Sequence, residues 1–204
     1  MRYWLAIPFL TLSLAAEARP VSYPGGWTVI AQNDGYENSA LLHYTVTPRW
    51  SVGYRAAYDR DTEAMFNGIQ MNNLLRRWNN PNSQANIYFK SAAGLTEGDV
   101  EGFTGLQADW ENRRVMVSYE NRVSFSPNEM RRDYQQEAGF GVAPYVAEFG
   151  AFHTWAMLHL VHMPEANDPV QVQPMLRFFK GTVLVEAGYN VTIDKPVLNA
   201  MIRF

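Results

Sequence analysis

The chain contains no cysteine, which excludes a disulfide scaffold, a thiolate metal centre, a cysteine nucleophile and a lipoprotein anchor. It also lacks an excess of positive charge: 17 Lys and Arg stand against 20 Asp and Glu, a formal charge of −3. That excludes the blanket basic surface of a nucleic-acid binder. Past the first few residues there is no run of about 18 or more apolar residues, so no transmembrane helix is expected. With 14 Gly and 11 Pro in 204 residues, the chain is neither collagen-like nor of low complexity. A phosphate loop, a dinucleotide fingerprint and a His-Glu-x-x-His zinc motif are absent as well. What remains is 47% hydrophobic and 14% aromatic with a mean hydropathy of −0.26, values that suit an ordinary soluble domain. The order of the residues points elsewhere.

Met1 to Ala18 carries one early basic residue, Arg2, an apolar stretch from Tyr3 to Ala16, and small residues at its end. This reads as a Sec-type signal peptide. Ala16-Glu17-Ala18 fits the small-x-small cleavage pattern, which makes residues 19–204 the mature domain; cleavage after Ala16 is the alternative. The Pro/Gly-rich stretch Pro20 to Gly26 follows at once.

From Gly26 onward no helical stripe is found. Runs with a period of two, about eight to twelve residues long, are separated by turn-formers. Trp50, Val52, Tyr54, Ala56 and Tyr58 alternate with Ser51, Gly53, Arg55, Ala57 and Asp59, and Val170, Val172, Leu176 and Phe178 alternate with Gln171, Gln173, Met175 and Arg177. Twelve such runs begin near Trp27, Ala40, Trp50, Phe66, Ala85, Phe103, Arg114, Tyr134, Phe149, Val170, Thr182 and Val197; the fourth, Met65 to Trp78, is the least regular. Short connections (Thr47-Pro48-Arg49, Asn79 to Ser83, Glu111 to Arg113, Ala147-Glu148, Lys180-Gly181) take turns with longer polar ones (Asp34 to Glu37, Arg60 to Ala64, Thr96 to Val100, Ser126 to Arg132, Pro164 to Asp168, Val191 to Pro196). An all-β, antiparallel, up-and-down transmembrane barrel of twelve strands has this rhythm. A secreted soluble sandwich or barrel also alternates.

The ending favours the membrane. Leu198, Ala200, Ile202 and Phe204 share one face of a final run that stops on Phe, which resembles the last strand of Gram-negative outer-membrane barrels. Trp27, Trp50, Trp78, Trp110, Tyr58, Tyr145 and Tyr189 fall at run ends, where interfacial aromatics belong. The resemblance implies export through the periplasm, residence in outer-membrane lipid, and reading of those four C-terminal residues by the barrel-assembly machinery. The stretches Pro20 to Val29 and Met71 to Asn79 also resemble exported proteins encoded beside heavy-metal efflux genes. Those proteins are richer in His and Met, and no established activity comes with the likeness.

In lipid every backbone group must pair, so the sheet must close. The polar alternates then face a lumen lined by Arg55, Lys90, Asp109, Arg114, Glu120, Arg122, Glu137, Arg177, Glu186 and Arg203. Interleaved signs make either a wet, narrow pore or a salt-bridged plug. Three of the four histidines lie between Phe152 and Met163. At strand period His153, Met157, His159 and Met163 share a face, a soft imidazole and thioether set that suits copper(I) or silver(I), with His43 inward as well. Met and His as simple lumen fillers is the competing reading. Outer-membrane lipid hydrolases pair Ser with His; Ser118 and Ser124 face inward with Glu120, and His153 or His159 is the candidate base, but no local catalytic signature accompanies them. The expectation is therefore a narrow channel or accessory barrel for small solutes or metal ions, with no resident cofactor and no catalysis. A closed structural or interaction barrel is the alternative. No nucleic-acid partner is expected.

Overall fold

The computed structural model describes residues 19–126, 131–148, 150–164 and 169–204; the expected signal peptide lies outside the described residues. These form twelve strands: β1 (Trp27–Asn33), β2 (Glu37–Thr47), β3 (Trp50–Asp59), β4 (Met65–Asn80), β5 (Ser83–Thr96), β6 (Asp99–Asn112), β7 (Val115–Ser126), β8 (Arg131–Val142), β9 (His153–His162), β10 (Gln171–Lys180), β11 (Val183–Asn190) and β12 (Lys195–Arg203). Each pairs antiparallel with its sequence neighbours, and β1 pairs with β12 to close the barrel. Closure removes the edges that an open sheet would leave unpaired. At the seam Thr28 faces Arg203 and Ile30 faces Met201. Beyond it Trp27 N donates to Phe204 O at 2.8 Å and Phe204 N to Trp27 O at 3.0 Å.

The period of two sets the two faces. Every strand places at least one large apolar side chain outward and exposed, among them Leu42, Tyr54, Ile69, Leu106, Val117, Phe140, Leu160, Leu176 and Ile202. The seven run-end aromatics named above are all exposed too. The wall is uneven: β4 has 16 residues while β1 has 7. The irregular fourth run is a bulge. Pairing of β4 with β5 shifts between Leu74 and Arg76, so Leu75 is the extra residue that a bulge inserts.

The turns follow from their side chains. Thr47 Oγ1 accepts from Arg49 N and Trp50 N, and Asp59 Oδ1 from Asp61 N and Thr62 N. At the β5–β6 connection Glu97 and Gly98 both take positive φ, 51° and 99°, the left-handed pair that a two-residue hairpin needs. The loop expected between Thr96 and Val100 is thus a tight turn. The short connection expected at Ala147-Glu148 is instead the long stretch 143–152 joining β8 to β9. Arg113 and Arg114 hold it, donating to Ala147 O, and to Ala143 O and Pro144 O. We call the end bearing the Pro48-Arg49, Pro81-Asn82 and Gly181-Thr182 turns the lower end, and the opposite one the upper end.

Candidate functional site: the lumen

Inward parity brings Arg55, Asp109, Arg177 and Glu186 to buried positions and half-buries Lys90, Glu120, Arg122, Glu137 and Arg203. Arg114 does not join them. Asn112 Oδ1 accepts from Arg114 N and Val115 N, each at 2.7 Å, which ends β6 and puts Arg114 in an exposed turn rather than on the ladder.

The charges are organised as pairs. Arg177 Nε donates to Glu186 Oε1 at 2.6 Å on directly paired positions of β10 and β11, both almost dry. Asn199 donates to the second oxygen of Glu186 at 3.1 Å. Lys90 Nζ reaches Glu120 at 2.5 Å from β5 to β7. It passes over β6, where Lys90 is opposite Gly105, a residue with no side chain to block it, and Glu120 is opposite Gln107. Arg55 pairs with Glu37, and Arg55 and Arg122 both approach the Phe103 ring, at 5.8 and 5.5 Å. A cation held over an aromatic face in this way is attracted by the ring quadrupole.

A cavity of about 130 Å³ lies at the centre, lined in part by Arg55, Lys90, Glu120, Glu137, His159, Arg177 and Glu186. Three permanent cations face three carboxylates there, and Gln32, Gln70, Gln107, Ser118 and Asn199 complete the wall with neutral donors and acceptors. At the upper mouth Lys195 sits 4.7 Å from the centre of the Tyr36 ring. In the neighbouring β1–β2 loop, burial pushes the Asp34 carboxyl above its ordinary range, against the pull of backbone N–H donors from Glu37 and Tyr36.

The His/Met face is divided. Met157 and His159 are buried, the first packed with Met116, Trp155 and Met175, the second donating from Nδ1 to Glu137 Oε1 at 2.5 Å. His153 lies at the lower end with its Nε2 at 3.2 Å from Tyr145 O, and Met163 lies past the upper end of β9. His43 is fully buried on β2, and neither ring nitrogen has a hydrogen-bond partner. No group of three or more His, Asp or Glu able to hold a metal occurs among the described residues. Ser118 and His159 flank Gly139: a methyl placed there would meet Ser118 Oγ at 2.4 Å and His159 Cε1 at 3.5 Å. No hydrogen bond joins the two. Leu198, Ala200, Ile202 and Phe204 lie on the outward face of β12 and its end.

Part of the lumen was not expected from the sequence. Residues 19–22, before β1, run inside the barrel at the lower end, where Arg19 and Val21 are almost fully buried, while Tyr23, Pro24 and Gly25 are exposed at its mouth. Arg19 pairs with Glu111, and Val21 packs on Leu74 and Tyr88. Glu37 and Glu111, the acids that hold Arg55 and Arg19, are also new. Glu111 shares the parity of Asp109, a signal that was available in the sequence.

No family model matches the chain, and no curated protein sequence matches it. Solved structures do. A KdgM porin in complex with disordered oligogalacturonate superposes with a TM-score of 0.54 at 8% identity, over 88% of this chain and 98% of that one. The fold is the one that porin has. A second structure of the KdgM porin gives 0.53 at 9% identity over the same shares. LpxR from Salmonella typhimurium gives 0.43 at 9% identity, over 88% and 99%.

Proposed function

We propose that this chain resides in the outer membrane of a Gram-negative cell and forms a narrow channel for small polar solutes. The observation that carries this reading is the division of one closed sheet into an apolar outer face and a charged, amide-rich lumen with a cavity at its centre. In water, the exposed Leu, Ile, Val and Phe on all sides of the barrel would form an apolar surface far larger than a soluble monomer presents; in lipid they are solvated. The fold shared with the KdgM porin supports the same assignment. Export by a signal peptide and assembly through the last strand complete the proposal.

The lumen also shapes what would pass. Arg55, Lys90 and Arg177 balance Glu120, Glu137 and Glu186, so no single sign dominates the constriction. A solute of low net charge that hydrogen-bonds to amides crosses such a lumen more readily than a polyanion or polycation, because the paired side chains keep the field small. Planar-bilayer recording on the refolded protein tests this: small, weakly ion-selective steps are expected, and absence of current above background in every salt overturns it.

The closed, salt-bridged barrel is the second reading, and the filled lower lumen favours it. Copper(I) or silver(I) as cargo on the His159 and Met157 face is a narrower version of the channel reading. Titration of either ion into refolded protein tests it, with equal affinity in His159→Ala, Met157→Ala and the unaltered chain counting against it.

A further inference from the structure

The segment before β1 is seated in the lumen without belonging to the barrel wall. Its fastenings are of three kinds. Arg19 meets Glu111 as an ion pair with both side chains almost dry. Pro20 O accepts from Ser51 Oγ at 2.6 Å and from Asn72 Nδ2 at 3.2 Å, and Ser22 N donates to Thr45 Oγ1 at 3.2 Å. Val21 fills an apolar pocket on Leu74 and Tyr88. Ser51, Asn72, Thr45 and Tyr88 are all buried to 1% exposure or less. The chain's own strands β2 to β6 thus supply a carboxylate, hydroxyls, an amide and an apolar wall, converging on one short peptide.

Two features make the occupant removable. From Arg19 to Ser22 it is held by side chains, not by ladder hydrogen bonds, so its departure breaks no strand pairing. Pro20 and Pro24 stiffen it, which lowers the entropy lost on seating. Gly25 and Gly26 then separate this arm from Trp27, the first residue of β1. Gly25 takes φ of +84°, and Gly25 N donates to Thr45 O at 2.9 Å while Gly26 O accepts from Thr45 N at 3.0 Å, so the two glycines are anchored to β2 and the arm Arg19 to Ser22 hangs from that anchor.

We propose that the lower lumen is a peptide-binding site whose occupant is this chain's own segment Arg19 to Ser22, and that the seated segment closes the lower mouth. Pro20 lines the central cavity, so the segment forms the floor of the space through which a solute would pass. Release of Arg19 to Ser22, ahead of the anchored Gly25 and Gly26, opens that floor and leaves the twelve-stranded wall intact.

The absence of cysteine supplies a clean reporter. Ser51→Cys places a single thiol beneath Pro20. In the otherwise unaltered chain, refolded in lipid, this thiol is expected to resist a membrane-impermeant thiol reagent. Replacing residues 19–25 by a Gly/Ser sequence of equal length is expected to speed labelling by an order of magnitude. Glu111→Gln, which leaves the segment's sequence intact, is expected to speed it several-fold, and so guards against a replacement that fails to fold. Synthetic Arg-Pro-Val-Ser-Tyr-Pro-Gly added to the replaced variant restores protection. Equal labelling in all three chains, or no protection by the peptide, overturns the proposal. Bilayer current is the second readout: it rises several-fold in the replaced variant and falls when peptide is added on one side. A thiol that becomes reactive with no rise in current keeps the peptide site and overturns the channel reading instead.

Discussion

The lower part and the middle of the lumen are made from the same strands and the same alternation, yet they are packed in opposite ways. Below, Tyr88, Asn72, Thr45, Ser51 and His43 are sealed from solvent, and the peptide from Arg19 to Ser22 occupies what space is left. In the middle, the same parity yields ion pairs around a cavity, with Lys90 and Glu120 still 18% and 35% exposed; above it Ala57, Phe66, Ala92 and Phe103 close into a buried apolar cluster. A polar inward face therefore does not by itself make a pore. Where the inward residues are amides, hydroxyls and a tyrosine matched to a peptide, they behave like a protein core. Where they are long charged side chains that repel close packing unless hydrated, they leave room.

The strongest way to break this contrast is to empty the lower part. Tyr88→Ala removes a fully buried side chain whose hydroxyl accepts from Arg77 at 3.3 Å, and large-to-small changes of this kind cost about 3–5 kcal/mol. Urea unfolding in lipid vesicles measures it; a loss below ~1 kcal/mol would mean that the lower lumen is not packed as a core. The outer wall is the reference for both parts. Leu106→Arg on the lipid-facing side of β6 is expected to cost about 2–4 kcal/mol by the same assay, whereas Gln107→Arg on its inner side is expected to be tolerated.

Between the two parts stands the pair Arg177 and Glu186. Glu186→Gln keeps the shape but removes the charge facing Arg177, at a cost of about 1.5–3 kcal/mol. The smallest effect on stability belongs to the wetter cavity pair Lys90 and Glu120: Lys90→Met is expected to change unfolding by no more than about 1 kcal/mol. Its effect appears in permeation instead. Removing one of the three cavity cations shifts the reversal potential under a salt gradient toward cation preference, and an unchanged reversal potential would place the ion path away from Lys90.

Much of the wall was legible. Alternation at Trp50 to Tyr58 or Gln171 to Phe178 names strand, face and partner side at once, because a side-chain period of two admits only one assignment once one face is apolar. The inward placement of Arg55, Lys90, Arg177 and Glu186 follows from it. Errors came where local side-chain chemistry overrides parity. Asn112 stops β6 by capping the following turn and so removes Arg114 from the lumen; Glu97 and Gly98 tighten a connection whose polar composition suggested a loop. The long connection 143–152 was missed because Arg113 and Arg114, distant in sequence, are what hold it. The His/Met ladder was legible as a shared face, but not the division of its members between Glu137, the core around Trp155 and the two barrel ends.

By itself the sequence determined the class of element, the number of strands, and which residues look outward, since these depend only on local periodicity and on turn-formers. The tertiary structure alone decided which charges pair, as with Lys90 and Glu120 across β6, and where residues 19–26 lie. Both depend on the shear and radius at which twelve strands close. Those global quantities fix the distances across the lumen, and no local pattern encodes them.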